Sequence, residues 1–486
     1  MEECRLFWQI VIMAEHIKSE EIQRQKEFIC KIRKINNQFE KLNKRRKKAK
    51  TETYGCQQNE NDTERIRGML NEMGFEFCDE ETDADVVIYN TCAVRENAEQ
   101  KVFGRLGILK HMKKEKTDMI IGICGCMVQQ EHITKQIKKT HKQVDLIFGT
   151  HALYKFPELL YEVMTKDDKK SVVDIKNSDG KIAEEIPMLR DYTQKAWVSV
   201  MYGCNNFCSY CVVPYVRGRE RSRNSADIIK EIKELVDNGC TEISLLGQNV
   251  NSYGKDLDED INFAKLLRMV NEIDKVERIR FMTSHPKDLS DELIDAIKDC
   301  DKVCKQLHLP VQAGSNKVLG DMNRKYTKED YLEKIRKVKE KIPDISLSTD
   351  IIVGFPTETN EDFLETLDVL KKVRYDNIFS FIYSKRVGTP AAELEFVLTN
   401  DEIHENFNKL LEVQNEISKQ KNDEYVGRIE RILVDGVSKN NENTLSGRTD
   451  SSKVVNFEGS NDLVGKYVNV KITQAHTWSL NGELVK

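Results

Sequence analysis

The sequence predicts an α/β chain in three parts: an N-terminal domain on a parallel sheet, a central incomplete barrel of parallel βα units, and a small C-terminal antiparallel β-barrel. Three observations predict it. First, from Thr51 to about residue 420, apolar runs of strand length alternate with amphipathic stretches of helical length, in two series broken by a charged segment. Second, the first long apolar run of the second series is followed at once by a cysteine triplet, Cys204, Cys208 and Cys211. Loops after the strands of a parallel barrel are where function resides. Third, beyond Asp423 the runs become short and β-rich, separated by Gly, Asn and Ser. A chain of 486 residues is ample for several cores.

Residues 1–50 precede the first series. The apolar run Leu6–Ala14 is too short to span a bilayer and lacks a basic start and a small-residue cleavage site. Residues 15–50 read as one charged helix ending in the basic run Lys44–Lys50. The expectation is a solvated, partly frayed extension, the alternative being a basic arm on RNA phosphates. In residues 51–166, strands are expected at Thr51–Cys56, Asp85–Asn90, Asp118–Cys124 and Val144–Gly149, with helices after each. Residues 167–188, rich in Lys, Asp and Glu, read as a linker. Residues 189–422 hold strands near Trp197–Val200, Glu242–Gly247, Arg278–Phe281, Gln306–Pro310, Ser346–Val353 and Asn377–Tyr383, about six βα units. Residues 423–486 form the last domain, with strands near Arg431–Asp435, Lys453–Phe457 and Lys466–Ile472.

The triplet C-x3-C-x2-C has roughly 0.01 chance occurrences in a chain with this cysteine content. Three thiolates on one short loop hold three corners of a four-iron cluster and leave the fourth iron open. Structural zinc sites instead close a tetrahedron from paired close units, and no second unit of that spacing appears. Cys56, Cys92 and Cys126 each lie just past the end of a strand in the first series. In an open α/β sheet those ends face one crevice, so three thiolates distant in sequence are expected to converge there. Cys124 is the rival third ligand. Cys126, after the turn at Gly125, is the better one. Cys4, Cys30, Cys78, Cys240, Cys300 and Cys304 read as core or surface thiols.

Composition excludes little. Net charge is -5 with 32% charged residues, so no global basic signature advertises nucleic acid. Residues 424–486 carry 8 Lys/Arg and 8 Asp/Glu, so RNA contact there must come from a local patch. Thirteen cysteines with no paired framework and no secretory signal point to a reducing cytoplasm.

Specific motifs then carry a resemblance. They are Thr53–Asn59, Asn90–Lys101, Gly125–Met127, the triplet with Tyr210 before its last cysteine, Val216–Arg223, Gly247–Asn251, Thr283–Pro286, Leu307–Gln312, Met322–Tyr326 and Asp350–Pro356. Ser446–Thr449 and Val454–Phe457 resemble a TRAM module. From Thr51 onward the chain resembles the methylthiotransferases of the radical S-adenosylmethionine (SAM) family, and among them the tRNA enzymes acting on isopentenyladenosine. The resemblance implies a radical SAM-type barrel and two 4Fe-4S clusters. Cys204, Cys208 and Cys211 would hold the cluster that cleaves SAM. Cys56, Cys92 and Cys126 would hold the one that carries the inserted sulfur. Tyr210, Gly247, Gln248, Asn249 and Ser284 are expected beside SAM. The implied reaction replaces C2–H of the adenine beside the anticodon with a methylthio group, using two SAM molecules. That bond offers no acid–base route, so no catalytic His or carboxylate pair is expected beyond the cluster ligands.

Implied partners are tRNA carrying isopentenyladenosine, an electron donor and a sulfur source, for a monomer with no membrane association. Sister substrates are threonylcarbamoyladenosine in tRNA and a ribosomal-protein aspartate. A different class of rival is a non-catalytic RNA-binding protein whose thiolates hold zinc. The chain departs from the family at Ala313, Thr357, Lys385 and Val387, none a cluster ligand. Beside an RNA-modifying site, Arg217, Arg219, Arg221 and Arg223 are expected to contact phosphate.

Overall fold

The computed structural model describes residues 15–93, 96–168, 170–176, 180–190, 193–438 and 441–485. Cys4 and the run Leu6–Ala14 lie outside the described residues. After helix α1 (Ser19–Asn43) come strands β1 (Lys48–Tyr54), β2 (Glu76–Phe77), β3 (Val86–Thr91), β4 (Ile120–Gly125), β5 (Leu146–Phe148) and β6 (Val172–Asp174). Helices α2 (Gln57–Glu72), α3 (Glu96–Glu115), the short α4 (Cys126–Gln129), α5 (Glu131–Thr140) and α6 (Phe156–Thr165) connect them. All pairings are parallel, in the order β2-β1-β3-β4-β5-β6. Every residue of β3 is buried, as a strand covered on both faces by helices must be. The chain reverses direction across the sheet between β1 and β3. That switch point opens a crevice at the strands' carboxyl ends.

The N-terminal segment differs from the solvated extension expected. Helix α1 buries Gln25, Ile29, Ile32 and Asn36, spaced along one helical face. Phe28 packs on Tyr161 of α6 with ring centroids 5.4 Å apart, and Asn36 donates to Met73 O. Its composition is polar because only this stripe is covered. The basic run is not a free arm either. Arg45 grips Asp85 with two bonds of 2.7 and 2.9 Å, and Arg46, Lys48 and Lys50 pair with Glu40, Asp83 and Glu52. Lys48–Lys50 already belong to β1, which begins three residues before Thr51. Ile32→Ala is therefore expected to cost about 2–5 kcal/mol of N-terminal-domain stability. Chemical denaturation checks this, and an unchanged midpoint would mean that α1 is not docked.

The 167–188 segment is likewise no loose linker. It contributes β6, the edge strand of the sheet. Ile17 N donates to Ile182 O at 2.8 Å, tying this segment back to the start of the described chain. A Cβ on Gly68 would stand 2.2 Å from Pro187 O, so the segment presses directly on α2.

The central domain begins with β7 (Lys195–Ser199), the hairpin strands β8 (Met201–Tyr202) and β9 (Arg221–Ser222), and helices α7 (Val213–Arg217) and α8 (Ser225–Asp237). Then follow β10 (Glu242–Leu246), α9 (Phe263–Asn271), β11 (Arg278–Phe281), α10 (Asp291–Asp299), β12 (Gln306–His308), α11 (Asn316–Asp321), α12 (Lys328–Lys341), β13 (Ser346–Val353), α13 (Asn360–Val373), β14 (Asn377–Ile382) and α14 (Asn400–Asp423). The strands form two parallel sheets, β11-β10-β7 and β12-β13-β14, joined by a bridge between Ile279 and Val303. Six parallel strands thus curve into a barrel left open between β7 and β14. Helices α12, α13 and α14 each start with a capping box, Thr327/Asp330, Thr359/Asp362 and Thr399/Glu402. The apolar faces behind these starts pack on the strands as one continuous core.

Strands β15 (Ile429–Ser438), β16 (Asn441–Arg448), β17 (Val454–Glu458), β18 (Tyr467–Ala475) and β19 (Leu480–Leu484) close into a barrel, in the order β15-β16-β17-β19-β18. It docks at the amino ends of the central strands. Arg278 at the start of β11 donates to Arg431 O and Arg448 O, Arg280 donates to Thr449 O, and Lys453 pairs with Asp376 before β14. The two barrels enclose a cavity of about 660 Å³ lined by Trp197, His308, Phe379, Arg448 and Trp478. No helix among the described residues is long and apolar enough to cross a membrane.

Candidate metal centre

Two sets of cysteines gather at strand ends. In the N-terminal crevice, Cys56 caps α2 just after β1, Cys92 follows β3, and Cys126 opens α4 after β4. Two buried amides lock the first two in place. Asn59 Nδ2 donates to Asn90 Oδ1 at 2.9 Å, and Asn90 Nδ2 donates to Asn59 O at 2.8 Å. A Cβ on Gly55 would stand 3.0 Å from Cys92 Cβ, which shows how closely the β1 and β3 ends approach. The Cys56 sulfur sits at an exposed mouth, 3.2 Å from Asn59 Oδ1. A hydrogen bond from Cys92 holds the Cys56 thiol down to about 5, against the opposing effect of burial. Cys126 is buried, and burial pushes its thiol up. Cys124 points the other way, into the core with Val86, Ile88 and Leu146. Alternation along a strand would put residues two apart on the same face, but Cys126 lies beyond the end of β4, where the chain turns at Gly125.

Gly125, between them, has φ +97°. A Cβ there would meet Asn90 Oδ1 at 2.3 Å and Thr91 O at 2.5 Å. Only glycine lets the chain turn Cys126 out of the strand.

Cys126 packs against Ala93, Val212 and Val216, the last two from the segment that follows the second cysteine set. Arg217, the last residue of α7, is fully enclosed there. Its Nε donates to Cys126 Sγ at 3.1 Å and its Nη2 to Asp62 Oδ2 at 2.8 Å. The two cysteine sets are therefore coupled through α7.

Cys204, Cys208 and Cys211 occupy the loop after β7 and β8, at the carboxyl rim of the barrel. Gly203 has φ +76°, and a Cβ would stand 2.0 Å from Arg219 O. Cys204 N donates to Gly218 O, and Cys211 N to Cys208 O. Phe207 adopts a left-handed conformation at φ 46°, held by Asn323 Nδ2 donating to its carbonyl at 2.8 Å. Burial pushes the Cys204 thiol up to about 11 and the Cys211 thiol to about 12. Ionising them as ligands therefore needs an added positive charge, which a bound metal supplies. Among the described residues, no three Cys, His, Asp or Glu side chains converge as tightly as a single metal ion requires.

The residues expected beside SAM divide into two groups. Gln248 Oε1 accepts from Gly203 N and is committed to the cysteine loop. Gly247 admits Met201, whose Cγ would lie 2.5 Å from an added Cβ. Asn249 Nδ2 donates to Asp288 at 2.8 Å, while its Oδ1 is buried without a partner. Ser284 Oγ is also buried and unpartnered, and Val250 N bonded to Thr283 O holds the two loops together. Tyr210 is half-buried, its hydroxyl 3.5 Å from Arg324 Nη1. Sequence reasoning passed over His285 in the same loop; its Nε2 is buried and unpartnered, and burial beside Arg324 keeps it neutral. At the departure Thr357, the hydroxyl donates to Asp321 and the turn is kept.

Phosphate contact by the arginine stretch is overturned for three of its four members. Arg217, Arg221 and Arg223 are at most 8% exposed. Arg223 pairs with Glu184 and Glu231, and Arg221 donates to the carbonyls of Arg217 and Arg219. Arg219 is exposed, over the Phe207 ring. Missed altogether was Arg324, buried beneath the cysteine loop with Nη1 3.4 Å from Cys208 Sγ. The signal was present, since Arg324 stands inside the Met322–Tyr326 motif.

Three family descriptions match the chain: the radical SAM superfamily over residues 198–370, the uncharacterized protein family UPF0004 over 48–149, and the TRAM domain over 423–485. Among solved structures, the radical S-adenosylmethionine methyltransferase TsrM from Kitasatospora setae shares the fold. Its TM-score is 0.51 at 14% identity, covering 71% of this chain and 75% of that one. The chain is 56% identical to a tRNA-2-methylthio-N(6)-dimethylallyladenosine synthase of Acetivibrio thermocellus, over 97% of its own length and 98% of that protein. With the corresponding protein of Clostridioides difficile it is 56% identical over 96% of its length and 98% of that one. Identity of this extent across every domain places the molecule, a radical SAM enzyme, in the tRNA-2-methylthio-N(6)-dimethylallyladenosine synthase family.

Proposed function

We propose that the chain converts N6-isopentenyladenosine beside the anticodon of tRNA to its 2-methylthio derivative. The observation that carries this reading is the pairing of two cysteine triads across α7, in a chain 56% identical to synthases of that name over nearly its whole length. Cys204, Cys208 and Cys211 are assigned as ligands of one 4Fe-4S cluster, Cys56, Cys92 and Cys126 as ligands of a second. Two sets of three cysteines suit clusters with one open iron better than closed four-ligand structural zinc sites. When bound, the first cluster supplies the electron that cleaves SAM, and the second carries the sulfur to be inserted.

The residues have separate tasks. Asn249 Oδ1 and Ser284 Oγ present an acceptor and a hydroxyl to SAM at no further desolvation cost, because burial has already stripped them of water. Gln248 and Asn323 hold the cysteine loop in its left-handed path. His285 stays neutral and takes no proton at physiological pH. A monomer with an external electron donor and sulfur source completes the reading.

Anaerobic reconstitution with iron, sulfide, SAM, dithionite and isopentenylated tRNA tests it, with nucleosides read by mass spectrometry. The expected products are the 2-methylthio nucleoside, 5′-deoxyadenosine and S-adenosylhomocysteine together. Deoxyadenosine with unmodified base would move the substrate to threonylcarbamoyladenosine tRNA or the ribosomal-protein aspartate. A colourless zinc protein would end the radical reading.

A further inference from the structure

Each cysteine triad has a buried guanidinium donating to one of its sulfurs, and the two guanidiniums differ in how their charge is balanced. Arg217 donates to Cys126 Sγ at 3.1 Å and is neutralised by Asp62 at 2.8 Å, on a side chain 7% exposed. Arg324 donates to Cys208 Sγ at 3.4 Å. Its other partners are neutral: Tyr326 OH at 2.9 Å from Nε, Pro310 O at 2.8 Å from Nη2 and Tyr210 OH at 3.5 Å from Nη1. His285, packed on Tyr326, is uncharged as well. Among the described residues no carboxylate lies within ion-pair distance of Arg324. A buried guanidinium without a counter-ion is costly, so its site is built for an anionic neighbour.

We propose that this difference separates the reduction potentials of the two clusters, so that an incoming electron settles on the SAM side. The inference rests on the ligand assignment made above. Reduction adds one negative charge to a thiolate-bound cluster and takes up no proton. A low-potential one-electron donor of the flavodoxin or ferredoxin class, or dithionite in vitro, is oxidised by the same electron. A cation and a hydrogen bond at a ligand sulfur stabilise the reduced form and raise the potential. Arg324 exerts its full charge at Cys208. Arg217 exerts a charge largely cancelled by Asp62 at Cys126. The reaction gains from that order, because the SAM side must be reduced to break the sulfonium while the other side has only to carry sulfur.

The test is an EPR-monitored dithionite titration of the full, anaerobically reconstituted chain. SAM addition identifies the SAM-side signal, because only that cluster has SAM as a ligand. In Arg324→Gln the one-electron reduction constant of that cluster is expected to fall about tenfold, about 59 mV. Arg324→Lys keeps the charge and should stay within about threefold of wild type. The other cluster should not move in either variant. Asp62→Asn should do the reverse, raising the auxiliary cluster's constant about tenfold while leaving the SAM side alone.

An unchanged SAM-side potential in Arg324→Gln, with iron content and the SAM-induced spectral change intact, would overturn the proposal. So would an equal fall in Arg324→Lys, which would mean geometry rather than charge. Should Arg324→Gln fail to hold its cluster, Asp62→Asn leaves Arg324 untouched, and an unmoved auxiliary potential there decides against it. Wild-type chain with no iron at the Cys204 loop would instead sink the ligand assignment, and that result is told apart by iron analysis before any titration.

Discussion

Cys204→Ala is expected to abolish reductive cleavage of SAM, a larger loss than the roughly 100-fold typical of an outer-shell partner. Without Cys204 the rim loop keeps two thiols, Cys208 and Cys211, and cannot fix three corners of a cluster. The loop is otherwise held by backbone bonds and Asn323, so the chain should still fold and circular dichroism should be unchanged. Cys92→Ala is expected to separate the activities. The crevice loses its central thiol, whose removal also takes away the hydrogen bond to Cys56. Formation of 5′-deoxyadenosine should continue, because Cys204, Cys208 and Cys211 are all kept, while methylthio nucleoside disappears. Product analysis of both variants on one tRNA preparation makes the comparison. Equal loss of deoxyadenosine in the two would contradict two separate clusters.

Gly125→Ala should have nearly as large an effect on sulfur insertion through backbone geometry alone. A methyl group there meets Asn90 Oδ1 at 2.3 Å and the Thr91 carbonyl oxygen at 2.5 Å, at a φ of +97°. Asn90 is one half of the amide pair holding Cys56 and Cys92, so relief of the clash moves all three thiols. The chain should bind about half the wild-type iron and retain SAM cleavage. Gly239→Ala is the control: φ is +95° there too, with nothing within 4 Å of an added Cβ. It should cost about 1 kcal/mol of strain and leave iron content untouched. Equal iron loss in both glycine variants would assign the effect to backbone strain rather than to the thiol geometry.

Strand positions were legible because buried parallel strands are short apolar runs, and β11 and β13 fall where their runs do, at Arg278–Phe281 and Ser346–Val353. The gathering of Cys56, Cys92 and Cys126 at one crevice followed from βα connectivity, since successive parallel strands end on the same side. The errors share one cause. The basic run at Lys44–Lys50 and the acidic and basic residues of 167–188 were read as solvated charge, and the arginines at 217, 221 and 223 as phosphate contacts, because composition records charge but not its partner. Asp85, Asp62, Glu184 and Glu231 lie between 8 and 155 residues from the cations they bind.

By itself the sequence determined the class of chemistry and the order of the domains. Thiol spacing within one loop, apolar periodicity and the motifs are local properties, and local properties survive in a linear reading. Only the tertiary structure decided which way Cys124 and Cys126 face, which arginines are buried, and that Arg217 and Arg324 each reach a cysteine sulfur from 91 and 116 residues away. Those are matters of side-chain direction and charge compensation across the fold, and they exist only once strands, helices and loops share one interior.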